Sequence, residues 1–121
     1  GPDSLRNFPG KSLLRLLTVR LRAEDCMNVE RIITFNIKDT GDTCALEIRK
    51  GICQFHPNAP KSQDVSITLD RAFLTKIFLG QTTYKDGLAE GIVTLEGNER
   101  DFQDFMSFFE EPTMDMAITV R

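Results

Sequence analysis

Three short runs near the middle of the chain alternate apolar and polar residues: Ile33, Phe35 and Ile37, then Cys44, Leu46 and Ile48, then Cys53 and Phe55. A period of two places each set on one face of a strand. The intervening turns make the pairing predictable. A four-residue loop at Asp39-Thr40-Gly41-Asp42 predicts Ile37 opposite Cys44, Phe35 opposite Leu46 and Ile33 opposite Ile48. A two-residue loop at Lys50-Gly51 predicts Ile48 opposite Cys53 and Leu46 opposite Phe55. Both turns put the apolar residues on a common face, so the pattern predicts an antiparallel meander with one buried side. Thr43, Glu47, Arg49, Gln54 and His56 then fall on the polar side.

The rest of the chain carries helical spacing. In KSLLRLLTVRLRAED, Leu13, Leu14, Leu17 and Leu21 recur as one stripe and predict a first helix. Residues 1–10 hold Pro2, Pro9, Gly1 and Gly10 without periodicity and read as a tag remnant or linker, leaving 11–121 as the domain. After the loop HPNAPKSQ, Val65, Ile67 and Leu69 predict a fourth strand, and Asp70 stands at the N-cap of a helix with Phe73, Leu74, Ile77 and Phe78 as its stripe and Gly80 as its stop. Thr83 with Asp86 predicts a capped short turn of helix holding Leu88, ahead of a strand with Val93 and Leu95 that Gly97 closes. Asn98 caps a last helix on which Phe102, Phe105, Met106 and Phe109 recur at i, i+3, i+4 and i+7. Met114, Met116, Ile118 and Val120 alternate again and predict a final strand. The order predicts an α+β domain: a mostly antiparallel sheet of about five strands with helices packed on one face.

Composition narrows the function. With 121 residues, 40% hydrophobic and 27% charged, the chain suits a single globular domain. No run approaches the roughly 18 apolar residues of a membrane span. The net charge of −3 divides unevenly: residues 1–60 hold nine Lys/Arg against seven Asp/Glu, and residues 61–121 hold six against eleven. Phosphate binding needs clustered cations, and the one basic cluster, Lys11, Arg15, Arg20 and Arg22, reads as a solvated helix face, so no nucleic acid is expected. Three cysteines, Cys26, Cys44 and Cys53, without a C-x-x-C spacing, point to free thiols in a reducing, cytoplasmic setting. The derived pairing separates Cys44 from Cys53 by about 13 Å along the sheet, too far for a disulfide.

Catalytic chemistry lacks its parts. His56 is the only histidine, and it falls on the polar face away from Cys53, which removes a multi-histidine metal centre and a local Cys-His dyad. Asp39-Thr40-Gly41-Asp42 lacks the alternating ligands and distal Glu of a calcium loop. Neither a cofactor nor a metal is expected, and the chain reads as a binder, not an enzyme. Phe73, Ile77, Phe78, Leu88, Phe102, Phe105, Met106, Phe109, Met114 and Met116 are candidates to line an apolar cavity for an alkyl chain, fatty acid or lipid. The alternative is a structural or interaction domain that docks on a catalytic partner or forms a homodimer through a helix face or sheet edge.

The strings LLRLLTVRLRAED, ITFNIKDTGDTCALEIRKGI, VSITLDRAFLTKIFLG and GIVTLEGNERDFQDFMSFFEE resemble the carboxy-terminal domain of alkyl sulfatases, a branch of the sterol carrier protein type 2 superfamily. The resemblance spans Lys11 to Arg121, and its most specific pieces are the DTGD turn, the T-L-x-R-x-x-L run from Thr68 to Leu74 and the L-E-G-N run from Leu95 to Asn98. It implies a sheet and helices that can enclose a cavity for alkyl or lipid chains. It further implies a parent protein in which this domain follows a dizinc metallo-β-lactamase-like catalytic domain and helps hold the tail of a sulfate ester. No H-x-H-x-D-H ligand set is present to carry hydrolysis itself. The last helix departs from the family pattern in being Phe-rich rather than Leu-rich, and the chain ends as MAITVR.

Overall fold

A computed structural model describes residues 8–111, in the α+β class. The elements follow the order α1 (Gly10–Leu17), β1 (Glu30–Ile37), β2 (Asp42–Arg49), β3 (Ile52–His56), β4 (Val65–Leu69), α2 (Arg71–Phe78), α3 (Tyr84–Glu90), β5 (Thr94–Gly97) and α4 (Glu99–Ser107). The strands form a sheet in the order β3-β2-β1-β4-β5. All neighbours are antiparallel except β1 and β4, which run parallel because the chain crosses from the β3 edge to the far side of β1 before β4 begins. The final strand expected from the sequence, with Met114, Met116, Ile118 and Val120, lies outside the described residues.

The meander keeps the expected faces but not all of the expected pairing. β2 and β3 pair as the turn chemistry predicts, with Ile48 opposite Cys53 and Leu46 opposite Phe55. Between β1 and β2 the pairs are Ile33 with Leu46, Phe35 with Cys44 and Ile37 with Asp42, two residues away from the prediction. The turn sits one residue earlier: Gly41 N–H donates to the Ile37 carbonyl at 2.9 Å, and Asp42 already belongs to the strand. Moving a loop by one residue shifts the pairing by two, which preserves the parity of every side chain. Ile33, Phe35, Ile37, Cys44, Leu46, Ile48, Val65, Ile67 and Leu69 are accordingly all buried in the core.

Helix caps match the residues expected to make them. Asp70 accepts from Phe73 N–H at 2.7 Å, Thr83 from Asp86 N–H at 3.2 Å and Asn98 from Arg100 N–H at 2.8 Å, each satisfying an orphan donor of the first turn. The helix after Thr83 is longer than one turn, running to Glu90.

The first helix is shorter than the leucine stripe predicts. α1 ends at Leu17, a 3-10 turn covers Thr18–Arg20, and Leu21 leaves in extended conformation to form a bridge with Phe109. Arg22 N–H donates to the Phe108 carbonyl and Glu110 N–H to the Arg20 carbonyl, both at 2.8 Å. β-Branched Thr18 and Val19 weaken the helix there, and these long-range bonds replace the intrahelical ones. The Arg22 side chain adds to the junction, donating to the carbonyls of Phe109 and Ser107 at the end of α4, a favourable place for a cation. At the other end, Phe8 packs against the core and Gly10 is already helical and buried, so this part of the leading segment is attached to the fold.

The cysteines are free. Burial pushes the Cys44 thiol up from 9.0 to about 11, and burial with the neighbouring Cys26 pushes Cys53 up to about 12. At pH 8 the native thiolate of Cys44 is therefore scarce, and iodoacetamide is expected to label it only after unfolding, as peptide mass spectrometry will report. The raised thiol pKa favours the protonated native state. Its contribution is intact below pH 9 and is lost as pH climbs from 9 towards 11, because the unfolded chain gives up its proton first.

Candidate functional site

A cavity of about 430 Å³, partly open to solvent, lies between the sheet and the helices. Its size falls within the roughly 300–1,000 Å³ of small-molecule sites. Phe35, Ile67 and Leu69 of the sheet form one wall, Leu13, Leu14 and Leu17 of α1 a second, and Leu74, Ile77 and Phe78 of α2 a third. Phe102 and Met106 of α4, with Phe109 just beyond it, complete the apolar lining. Thr82, Thr83, Tyr84 and Lys85, at the start of α3, and Glu110 and Glu111, after α4, bring the polar atoms.

Of the residues that the sequence nominates, Ile77, Phe78, Phe102, Met106 and Phe109 line this cavity. Phe73, Leu88 and Phe105 do not. Phe105 is turned into the core between Phe102 and Phe109, with ring centroids 6.3 and 5.2 Å away. Phe73 lies against α3 at Gly87, where an added Cβ would stand 2.6 Å from its ring. Leu88 is half-buried against the same core, away from the void. Met114 and Met116 lie outside the described residues.

The α1 and sheet residues were legible as buried stripes but not as cavity walls, because nothing in spacing tells a filled layer from an open one. Tyr84 carries no sequence signal either. Its ring meets Phe102 edge-on at 4.8 Å, and its hydroxyl is buried with no hydrogen-bond partner among the described residues. Burial, with help from Glu99 and Asp104, raises its pKa above the ordinary value.

Arg20 contradicts the solvated face expected for the basic cluster. It is only 7% exposed and lines the cavity. The guanidinium stacks 3.8 Å from the centre of the Phe78 ring, and its Nη1 donates to the Phe78 carbonyl at 3.0 Å. Among the described residues no carboxylate pairs with it. Burial lowers its pKa from the ordinary value, yet a guanidinium stays charged in proteins. Arg15, by contrast, is exposed and covers the Phe55 ring at 4.4 Å.

His56 and Glu47 meet at 2.8 Å on the opposite, polar face of the sheet. Among the described residues no group of three His, Cys, Asp or Glu side chains is placed to hold a metal ion, and no helix is long and apolar enough to cross a membrane. The arrangement is an apolar void with one buried cation in its wall.

A family model described as alkyl sulfatase C-terminal matches residues 1–121. A linear primary-alkylsulfatase of Pseudomonas sp. (strain ATCC 19151) is 28% identical over 120 residues, covering 99% of this chain and 23% of that protein. The chain thus spans about a quarter of the relative's length. Among solved structures, the stereoselective inverting sec-alkylsulfatase Pisa1 from Pseudomonas sp. superposes with a TM-score of 0.81 at 18% identity, covering 90% of this chain and 17% of that one. Palmitated SCP2L2 from Aedes aegypti superposes with a TM-score of 0.67 at 16% identity, covering 85% of this chain and 96% of that one. At these identities the superpositions establish the fold, which is sterol-carrier-protein-like.

Proposed function

The chain belongs to the alkyl sulfatase C-terminal family, and from that membership we propose that it binds the apolar chain of an alkyl or lipid ligand, as the tail-binding domain of an alkyl sulfatase-like hydrolase. The observation that carries this reading is the void itself. Phe102 and Phe109 border it without filling it, although a Phe-rich helix could have closed a layer of this kind completely. The wall facing the void is largely leucine, isoleucine and phenylalanine with one methionine, which suits an alkyl chain, and hydrolysis would belong to another part of such a protein.

The test is native mass spectrometry of the chain with dodecyl sulfate and dodecanol, with thermal unfolding alongside. One adduct per chain and a rise in melting temperature are expected, since a ligand that binds only the native state stabilises it by mass action. Ile77→Trp places an indole in the void from a half-buried position and should weaken binding by about tenfold or more. Absence of any adduct from the folded chain would sink the reading. A second reading, docking on a partner or a second copy, draws on Met27 and Ile52, which stand exposed near Gly51 at the edge strand β3. A dimer without adduct in the same spectra would favour it.

A further inference from the structure

We propose that Arg20 makes this cavity selective for amphiphiles with an acidic head group, carboxylate or sulfate, over neutral alcohols and hydrocarbons of the same chain length. The inference rests on the reading that the cavity holds an apolar chain, and adds which end of the ligand it recognises.

A guanidinium carries five donors and no acceptor. At Arg20 the contacts within the described residues are a single hydrogen bond to the Phe78 carbonyl and the face of the Phe78 ring. Both hold the group in place, and neither neutralises its charge. Stacking on Phe78 covers one face and Nη1 is turned to the backbone, so the remaining N–H donors are oriented before any ligand arrives. Isolated buried charge is costly, and a charge in a wall of leucine and phenylalanine gains most from a partner that brings its own counter-charge. A chain seated in the void with its acid at Arg20 would satisfy both ends at once.

The other charged residues around the cavity do not offset this. Glu110 and Glu111 are exposed and act through water, where Coulomb energies between single charges are about 1 kcal/mol at contact and are screened by salt. Lys85 is exposed as well. Arg20 is the buried charged residue of the lining, so its charge is the least screened by water and dominates head-group choice. Tyr84 supplies a second polar group in the lining, its hydroxyl buried and without a partner among the described residues.

The experiment titrates the 121-residue chain with dodecanoate, dodecyl sulfate, dodecanol and dodecyltrimethylammonium below their micelle concentrations, by calorimetry. At least about tenfold tighter binding of the two anions than of dodecanol is expected, a gap equivalent to ~1.4 kcal/mol. In Arg20→Gln, with folding verified by circular dichroism, the gap between the anions and dodecanol should close. Arg20→Lys should keep part of it, because a point charge replaces the fork. The wild-type series decides the matter even where a variant fails to fold. Equal binding of dodecanol and the anions overturns the inference and leaves tail binding standing. An anion preference that survives in folded Arg20→Gln also overturns it, and no binding of any chain removes both. The carboxylate and sulfate arms tell which acid fits better.

Discussion

Phe102→Ala is expected to lower stability by about 3–5 kcal/mol, the usual cost of emptying a buried aromatic site. Phe102 is 1% exposed and joins three other rings: Tyr84 edge-on at 4.8 Å, Phe35 at 6.4 Å and Phe105 stacked at 6.3 Å. Ring pairs of this geometry add roughly 0.5–1.5 kcal/mol each beyond the area they bury. Collapse recovers little of the cost, because Phe102 already borders a void and removing its ring enlarges that void. Thermal unfolding should show a loss of roughly 10–20 °C for a domain of this size. Phe108→Ala is the contrast, since Phe108 only packs half-buried against the core, and about 1–2 kcal/mol is expected from its smaller burial. Equal losses at both positions would show that the aromatic cluster is not the centre of the fold.

How much of this the sequence discloses depends on which interaction decides each element. Asp70, Thr83 and Asn98 act on donors two or three residues away, so their helices begin where local chemistry says they should. Parity in the meander was equally legible, because one-residue slips would turn every apolar side chain outward. The β1–β2 pairing was not, since it turns on which residue of Asp39-Thr40-Gly41-Asp42 closes the loop, and Gly41 with its left-handed backbone closes it early.

Tertiary contacts account for the remaining differences. Leu21 has the spacing of a helix position and leaves the helix because Phe109 and the α4 terminus offer it a bridge. Arg20 has the spacing of a solvated position and is buried because the chain breaks from α1 just there and turns its side chain over Phe78. A charged residue is the least expected one in such a wall, so no pattern rule would nominate it. The cavity was read from the aromatic stripes and the resemblance, which reached five of its lining residues, Ile77, Phe78, Phe102, Met106 and Phe109: the walls from α1, β1 and β4 come from parts of the chain that the aromatic pattern does not highlight.

Gly97→Ala should be among the most costly single substitutions in this chain despite adding one methyl group. Gly97 closes β5 opposite Val65 and precedes Asn98, the cap of α4, so it sets where the Phe102 helix begins. Its φ of +111° is a conformation that side-chain-bearing residues rarely adopt. An alanine Cβ would stand 2.7 Å from the Asp64 carbonyl oxygen and 3.1 Å from the Val65 Cα, both backbone atoms that no rotamer change can move. Backbone strain of about 1–3 kcal/mol and overpacking of about 1–3 kcal/mol act in the same direction. Gly41→Ala isolates the two effects, because Gly41 has a φ of +75° but nothing within 4 Å of the new Cβ. It should cost only about 1–2 kcal/mol, the left-handed penalty alone. The gain from stiffening the unfolded chain, about 0.4–1 kcal/mol, is common to both and cancels in the comparison. Denaturant midpoints for the two variants measure the difference directly. A matching loss would mean that β4 and β5 yield at no cost where Gly97 meets Asp64, and a larger loss at Gly97, accompanied by weaker alkyl-chain binding, would tie the placement of α4 to the cavity it walls.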